Sequence, residues 1–198
     1  MDLVLIRHPA PAIDAGVCYG RTDVPLAGDA AESALALAAR LAALAVPMPA
    51  CLSTSPLRRC ADVAERLAVL LGSACDTDAR LREIDFGEWE GQRWDAIDRD
   101  ALDAWAADLR HARAHGGESV AQFEARVDAW LEMCRGASSA SAASVLAVTH
   151  AGVMRMIAAR LLGETIETTL KWPLEMAAVV WLRRDEPAGD WRLVHWNV

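Results

Sequence analysis

The sequence predicts an α/β protein, a three-layer α/β/α sandwich with a mostly parallel central sheet. Short apolar runs alternate along the chain with longer helical patterns. Two of those runs, residues 3–6 and 145–149, are close to continuously apolar, as strands buried on both faces are. Each leads directly into a histidine, His8 or His150, where a strand of such a sheet gives way to a loop. The 198 residues show no internal repeat, so one domain over residues 1–198 is expected, with a helical lobe at about 81–118.

The elements follow in order. Pro9 stops the first strand, and residues 9–26 carry Pro9, Pro11, Gly16, Gly20 and Pro25, the composition of a long functional loop. Residues 28–44 are rich in Ala and Leu and predict a helix ending before Val46-Pro47. A second strand spans 51–54. Ser55 as N-cap and Pro56 in the first helical position then open a helix to about residue 71. A third strand is expected near 75–79, with helical stretches at 94–97 and 100–109 in the charged, Trp-containing middle. Ser119 and Gln122 form a capping-box pattern, followed by Val120, Phe123, Val127, Trp130, Leu131 and Cys134 at helical spacing. Residues 136–144 read as a small-residue linker. After the strand at 145–149, a helix runs to Leu162-Gly163, and residues 177–182 and 191–196 predict a closing strand pair.

Composition narrows the function. A formal net charge of −8 and a pI near 5.1 argue against nucleic-acid or anionic-membrane binding. Five scattered cysteines without C-x-x-C spacing read as small buried residues in a reducing compartment, and no basic-then-apolar leader is present, so the cytoplasm is expected. His111 and His115 would share a helix face as zinc ligands can, but no glutamate follows His111 and Gly116-Gly117 breaks the helix. A solvated pair or a lobe element is the expectation, with no metal. Trp89 and Trp172 are the tryptophans to watch near a pocket, and His195 reads as structural.

The predicted carboxyl ends of strands bring together Arg7-His8, Ser55-Pro56-Leu57-Arg58-Arg59 and Thr149-His150. Ligands bind at that edge of open α/β sheets. Phosphoryl transfer needs a nucleophile, cations on the equatorial oxygens and an acid for the leaving group. Singly, each residue has a plainer reading: an incidental Arg-His pair, a solvated helix-face Arg59, a core His150. Their order and placement together carry the argument.

That combination resembles the histidine phosphatase superfamily, with its phosphoglycerate-mutase-like fold, over nearly the whole chain. Leu5-Ile6-Arg7-His8 is similar to the family's Arg-His signature, and Thr54-Ser55-Pro56-Leu57-Arg58-Arg59 to its second block, whose functional arginine corresponds to Arg59. The segment from Leu81 through Glu83 to Gly91 resembles the block supplying the acid; Gly116-Gly117-Glu118-Ser119 and Val148-Thr149-His150-Ala151-Gly152 match two more. The resemblance implies a phosphomonoester phosphatase using His8, Glu83 and His150 catalytically, with Arg7, Arg59 and His150 binding phosphate. Neutral His8 would attack phosphorus. Glu83, protonated in the complex, would protonate the leaving alkoxide and then act as base toward water. The helix after His150 would point backbone N–H groups at the phosphate. No metal or cofactor is implied.

Two departures matter. Pro9 replaces the family's usual glycine: it keeps a carbonyl but removes an N–H, so the exchange is harmless only if the carbonyl is what holds the imidazole. Pro11 and Asp14 stand where a hydroxyl residue and an asparagine are common, and an acid there should point away from the phosphate. The loop from Gly16 to Leu26 resembles that of alpha-ribazole-phosphatase-like members, making Tyr19, Gly20 and Arg21 substrate-binding candidates, with a plain surface arginine as the other reading of Arg21. The expected partner is a small phosphorylated metabolite, with alpha-ribazole 5′-phosphate of cobalamin biosynthesis as the specific guess; a homodimer is compatible with the Ala-rich helix faces. The alternatives are a phosphoglycerate mutase, whose family members are generally longer, and a phospho-ligand-binding pseudoenzyme, favoured only by Pro9.

Overall fold

The computed structural model describes residues 1–137, 144–185 and 189–198. Its strands are β1 (Asp2–Arg7), β2 (Pro49–Thr54), β3 (Cys75–Thr77), β4 (Ser144–Thr149), β5 (Val179–Arg183) and β6 (Arg192–His195). Among the described residues they form one six-stranded sheet in the order β3-β2-β4-β1-β5-β6. The first four of that order run parallel; β5 is antiparallel to β1, and β6 to β5. A mixed α/β sandwich with a mostly parallel sheet is what the apolar runs predicted.

Strand alternation divides the core in two. Leu3, Leu5, Val145, Ala147, Val180 and Leu182 face one side, against helices α4 (Val120–Ala137) and α5 (Ala151–Leu162). Val4, Ile6, Leu146, Val148, Val179 and Trp181 face the other, against α1 (Ala30–Ala43) and α2 (Arg58–Leu71). With two buried faces, the central strands have no polar side to show, so their sequences are apolar throughout.

Local signals set the helix ends. Asp29 caps α1, its carboxylate accepting from the Ala31 and Glu32 amides at 2.8 and 2.9 Å. Ser119 and Gln122 make the reciprocal capping box of α4. Gly163 ends α5 in the left-handed conformation, φ 70°.

Several expectations are corrected. α2 begins at Arg58 rather than at Pro56; the Ser55 hydroxyl accepts from the Leu57 amide at 3.3 Å while lying 2.8 Å from His150 Nε2, and the carboxylate of Asp23 accepts from the Arg58 amide at 2.7 Å. Residues 94–97 form turns rather than a helix, and the predicted helix at 100–109 is α3 (Arg99–Ala107). β3 ends at Thr77, where Asp78 starts a 3₁₀ turn over Ala79–Leu81. The short α6 (Ile166–Leu170) went unpredicted. Most of the expected linker at 136–144 lies outside the described residues.

His111 and His115 share no helix, since α3 ends before either. His115 is fully buried, not solvated, with the rings of Phe86, Trp89 and Trp105 around it. Those rings and Trp94 turn residues 86–105 into a small aromatic core of their own. Gly87 and Gly117 let the chain around 85–87 touch that around 115–117: a Cβ on either would stand 2.1 Å from a backbone oxygen across the gap. Among the described residues no helix is long and apolar enough to cross a membrane.

Candidate active site

Three neighbouring strands, β2, β4 and β1, end level with one another, with Thr54 paired to Val148 and Thr149 to Arg7. The next residue on each is Ser55, His150 or His8. The sheet ladder continues one step further, through Ser55 N to Val148 O at 3.1 Å and His8 N to Thr149 O at 2.9 Å. Register alone therefore brings the two histidines together, with ring centroids 5.2 Å apart.

His8 is 2% exposed. Its Nδ1 lies 2.7 Å from the Pro9 carbonyl oxygen, which can only accept, so Nδ1 carries the proton and Nε2 keeps its lone pair. The exchange of glycine for Pro9 thus preserves the group that holds the ring. Burial, reinforced by the nearby Arg59 and Arg7 charges, lowers the His8 pKa from 6.5 to about 3 against the opposing pull of the Pro9 carbonyl. The imidazole is neutral at pH 7. His150 is fully buried and its pKa is also pushed well down, by burial first and then by Arg59. Its Nε2 is 2.8 Å from the Ser55 hydroxyl.

Two arginines flank these rings. Arg59, wholly buried on the first turn of α2, donates to the Thr22 and Gly20 carbonyls at 2.7 and 2.6 Å. Its guanidinium carbon lies 5.1 Å from the Tyr19 ring centroid, and Tyr19 stands 6.3 Å from His8. Arg7 donates to the Leu174 carbonyl. The Nε–H of each is buried without a protein acceptor, an arrangement suited to an incoming anion.

Glu83 reaches the same edge from the lobe. Its Oε2 accepts from the Gly152 amide and its Oε1 from the Ile84 amide, both at 3.0 Å. The first-turn N–H at Gly152 therefore serves this carboxylate in the structure. A Cβ on Gly152 would sit 2.2 Å from Oε1, so a side chain there would push the acid aside.

The remaining candidates divide. Gly20 is packed so closely that a Cβ would stand 2.3 Å from the Ile84 oxygen, and Arg21 is an exposed rim residue paired with Asp85 at 3.2 Å. Asp14 is exposed and its charge acts on Arg93, away from the histidines. Trp89 is buried in the aromatic core and Trp172 meets Trp196 edge-on; Trp105, Phe86 and Phe123 are the aromatic residues that line a cavity beside Glu83.

Two residues that position the site went unrecognised in the sequence. Arg126 of α4 donates to the Arg80, Arg82 and Glu83 carbonyls at 2.7, 2.7 and 3.0 Å while pairing with Glu118, and so fixes the segment that carries Glu83. Glu90 accepts from the Arg21, Thr22 and Phe86 amides and ties the Tyr19 loop to the lobe. The available signal was each one's place beside a quoted motif, not its own spacing.

The histidines have a measurable cost in acid. The unfolded chain binds His8's proton at about pH 6.5 and the folded chain only near pH 3, so this contribution is complete above the first value and is lost as pH falls toward the second. By pH 4.5 His8 alone should remove about 2 kcal/mol, or roughly 4–8 °C in Tm, with His150 adding in the same direction. Thermal melts at pH 6.5 and 4.5 should show a drop smaller by this amount in His8→Asn; equal drops would mean that His8 is not held neutral by burial.

The family model of the histidine phosphatase superfamily (branch 1) matches residues 3–198. A glucosyl-3-phosphoglycerate phosphatase of Mycolicibacterium vanbaalenii is 31% identical, over 98% of this chain and 93% of its own. An adenosylcobalamin/alpha-ribazole phosphatase of Escherichia coli K12 is 29% identical, over 84% of this chain and 82% of its own. Among solved structures, a mycobacterial glucosyl-3-phosphoglycerate phosphatase superposes with a TM-score of 0.82 at 28% identity, covering 99% of this chain and 98% of the other. The alpha-ribazole phosphatase of Shigella flexneri gives 0.83 at 25% identity, covering 100% and 96%. With a match that runs from the first strand to the last residue, this chain belongs to branch 1 of the histidine phosphatase superfamily and is a phosphoric monoester hydrolase.

Proposed function

We propose that the protein is a metal-independent phosphatase of small phosphomonoesters that works through a phosphohistidine on His8. The observation that carries this reading is the state of His8: buried, neutral, and locked through Nδ1 onto the Pro9 carbonyl so that Nε2 is a free nucleophile.

In the first step the Nε2–phosphorus bond forms as the ester P–O bond breaks. Arg7, Arg59 and His150 hold the equatorial oxygens, and the proton of Glu83 passes to the departing alkoxide. In the second, water attacks phosphorus and gives its proton to Glu83. The Nε2–phosphorus bond breaks, phosphate leaves, and both residues return to their starting states. Tyr19 and Gly20 shape the phosphate end of the pocket through Arg59, and Arg21 stands at its rim.

The similar proteins are named as phosphatases of glucosyl-3-phosphoglycerate and of adenosylcobalamin/alpha-ribazole, and a small phosphomonoester is the substrate proposed here. Glucosyl-3-phosphoglycerate and alpha-ribazole 5′-phosphate therefore head the panel for a phosphate-release assay, run with and without EDTA. Release that persists in EDTA is the expected result. Release that stops on chelation would overturn the metal-independent mechanism, and isomerised phosphoglycerate in place of free phosphate would make the protein a mutase.

A further inference from the structure

Beside Glu83 lies a cavity of about 210 Å³ between α5 and the lobe, walled chiefly by apolar side chains such as Trp105, Leu109 and Ile166. Its one cationic lining residue is Arg155. Arg155 follows Gly152 by three positions on α5, so the two share a helix face, and the Gly152 amide holds the Glu83 carboxylate. The Glu83 acid and the Arg155 cation thus border the same cavity. Arg155 donates through Nη2 to the Trp172 carbonyl at 3.1 Å, which tethers the guanidinium, while its Nε–H is buried without an acceptor. Among the described residues no carboxylate lies within ion-pair distance of it.

A guanidinium held in an apolar wall without a counter-ion is costly, and an anionic ligand group would repay that cost. We propose that Arg155 recognises a carboxylate on the leaving group, so that the enzyme selects phosphomonoesters of small hydroxy acids over those of neutral alcohols. The alkoxide oxygen sits at Glu83, the carbon skeleton occupies the apolar cavity, and the carboxylate meets Arg155. The volume suits a leaving group of a few carbons beyond the ester oxygen, with larger substituents extending out of the cavity. Arg7, whose Nη1 is tethered to the nearby Leu174 carbonyl, remains for the phosphoryl group.

The inference rests on the phosphatase reading, and the test separates the two. 3-Phosphoglycerate and glycerol 3-phosphate differ only in a carboxylate against a hydroxymethyl group. The wild type should prefer the first in kcat/KM by about 10- to 100-fold, since a site built for a buried charged partner rejects the analogue that lacks it. In Arg155→Met that ratio should fall by at least about tenfold, with Arg155→Lys in between. A wild-type ratio near one overturns the inference even if the variants do not fold, and a ratio unchanged in Arg155→Met shows that Arg155 serves the phosphate or the fold instead. No release from any ester by the wild type would sink the phosphatase reading itself.

Discussion

Replacing His8 with alanine is expected to lower kcat for every ester the wild type hydrolyses by about 10⁴- to 10⁶-fold, the loss seen when a covalent nucleophile is removed. Among the described residues, neither His150 nor Cys60 is placed to replace it. The other ring, His150, has its Nε2 committed to the Ser55 hydroxyl, and Cys60, 3.5 Å from that nitrogen, is a buried thiol whose pKa is raised by burial. Alanine leaves Arg7 and Arg59 in place, so phosphate affinity should survive while turnover does not. Initial rates with far-UV circular dichroism as a folding check settle the point. A loss below about tenfold would mean that another group attacks phosphorus.

The second large effect is expected from Arg59→Lys. The charge is kept, so the loss reports geometry. Arg59 uses two nitrogens on two carbonyls, Thr22 and Gly20, and keeps a buried Nε–H without a protein acceptor. A single ammonium cannot span that set. We expect kcat/KM to fall by about 10²- to 10³-fold, the scale of losing a preorganised donor to developing charge. The loop should also loosen, because Arg59 is one of its few ties to α2, and trypsin cleavage at the exposed Arg21 should quicken. Activity within about threefold of wild type would make Arg59 a structural residue.

The sheet was legible because burial on both faces writes itself into sequence. Residues 3–6 and 145–149 are apolar without alternation, and their registers deliver His8 and His150 to one edge with no further specification. Arg59 was legible by its distance from Ser55, although the start of its helix was not: the Ser55 hydroxyl accepts from the Leu57 amide as a serine before a proline suggests, yet the helix itself begins only at Arg58. The lobe was poorly legible. Its shape comes from Arg126 bonding carbonyls 43 to 46 residues away and from three aromatic rings closing on His115, neither of which leaves a local period. Residues 94–97 look helical by composition, yet Trp94 is spent on the Phe86 and Trp89 rings. Arg155 was hidden in the same way: within α5 it reads as one more helical arginine, and only the cavity beside Glu83 distinguishes it.

The central claim is that phosphate passes through a covalent bond to His8, and trapping that bond tests it most directly. Wild-type protein mixed with a rapidly hydrolysed ester, quenched in alkali within one turnover and measured by intact mass and peptide mapping, should carry one phosphoryl group. That group is expected on His8, stable in base and lost in acid. A phosphoryl group on any other residue, or hydrolysis at full rate with no phosphorylated protein at any quench time, would contradict it.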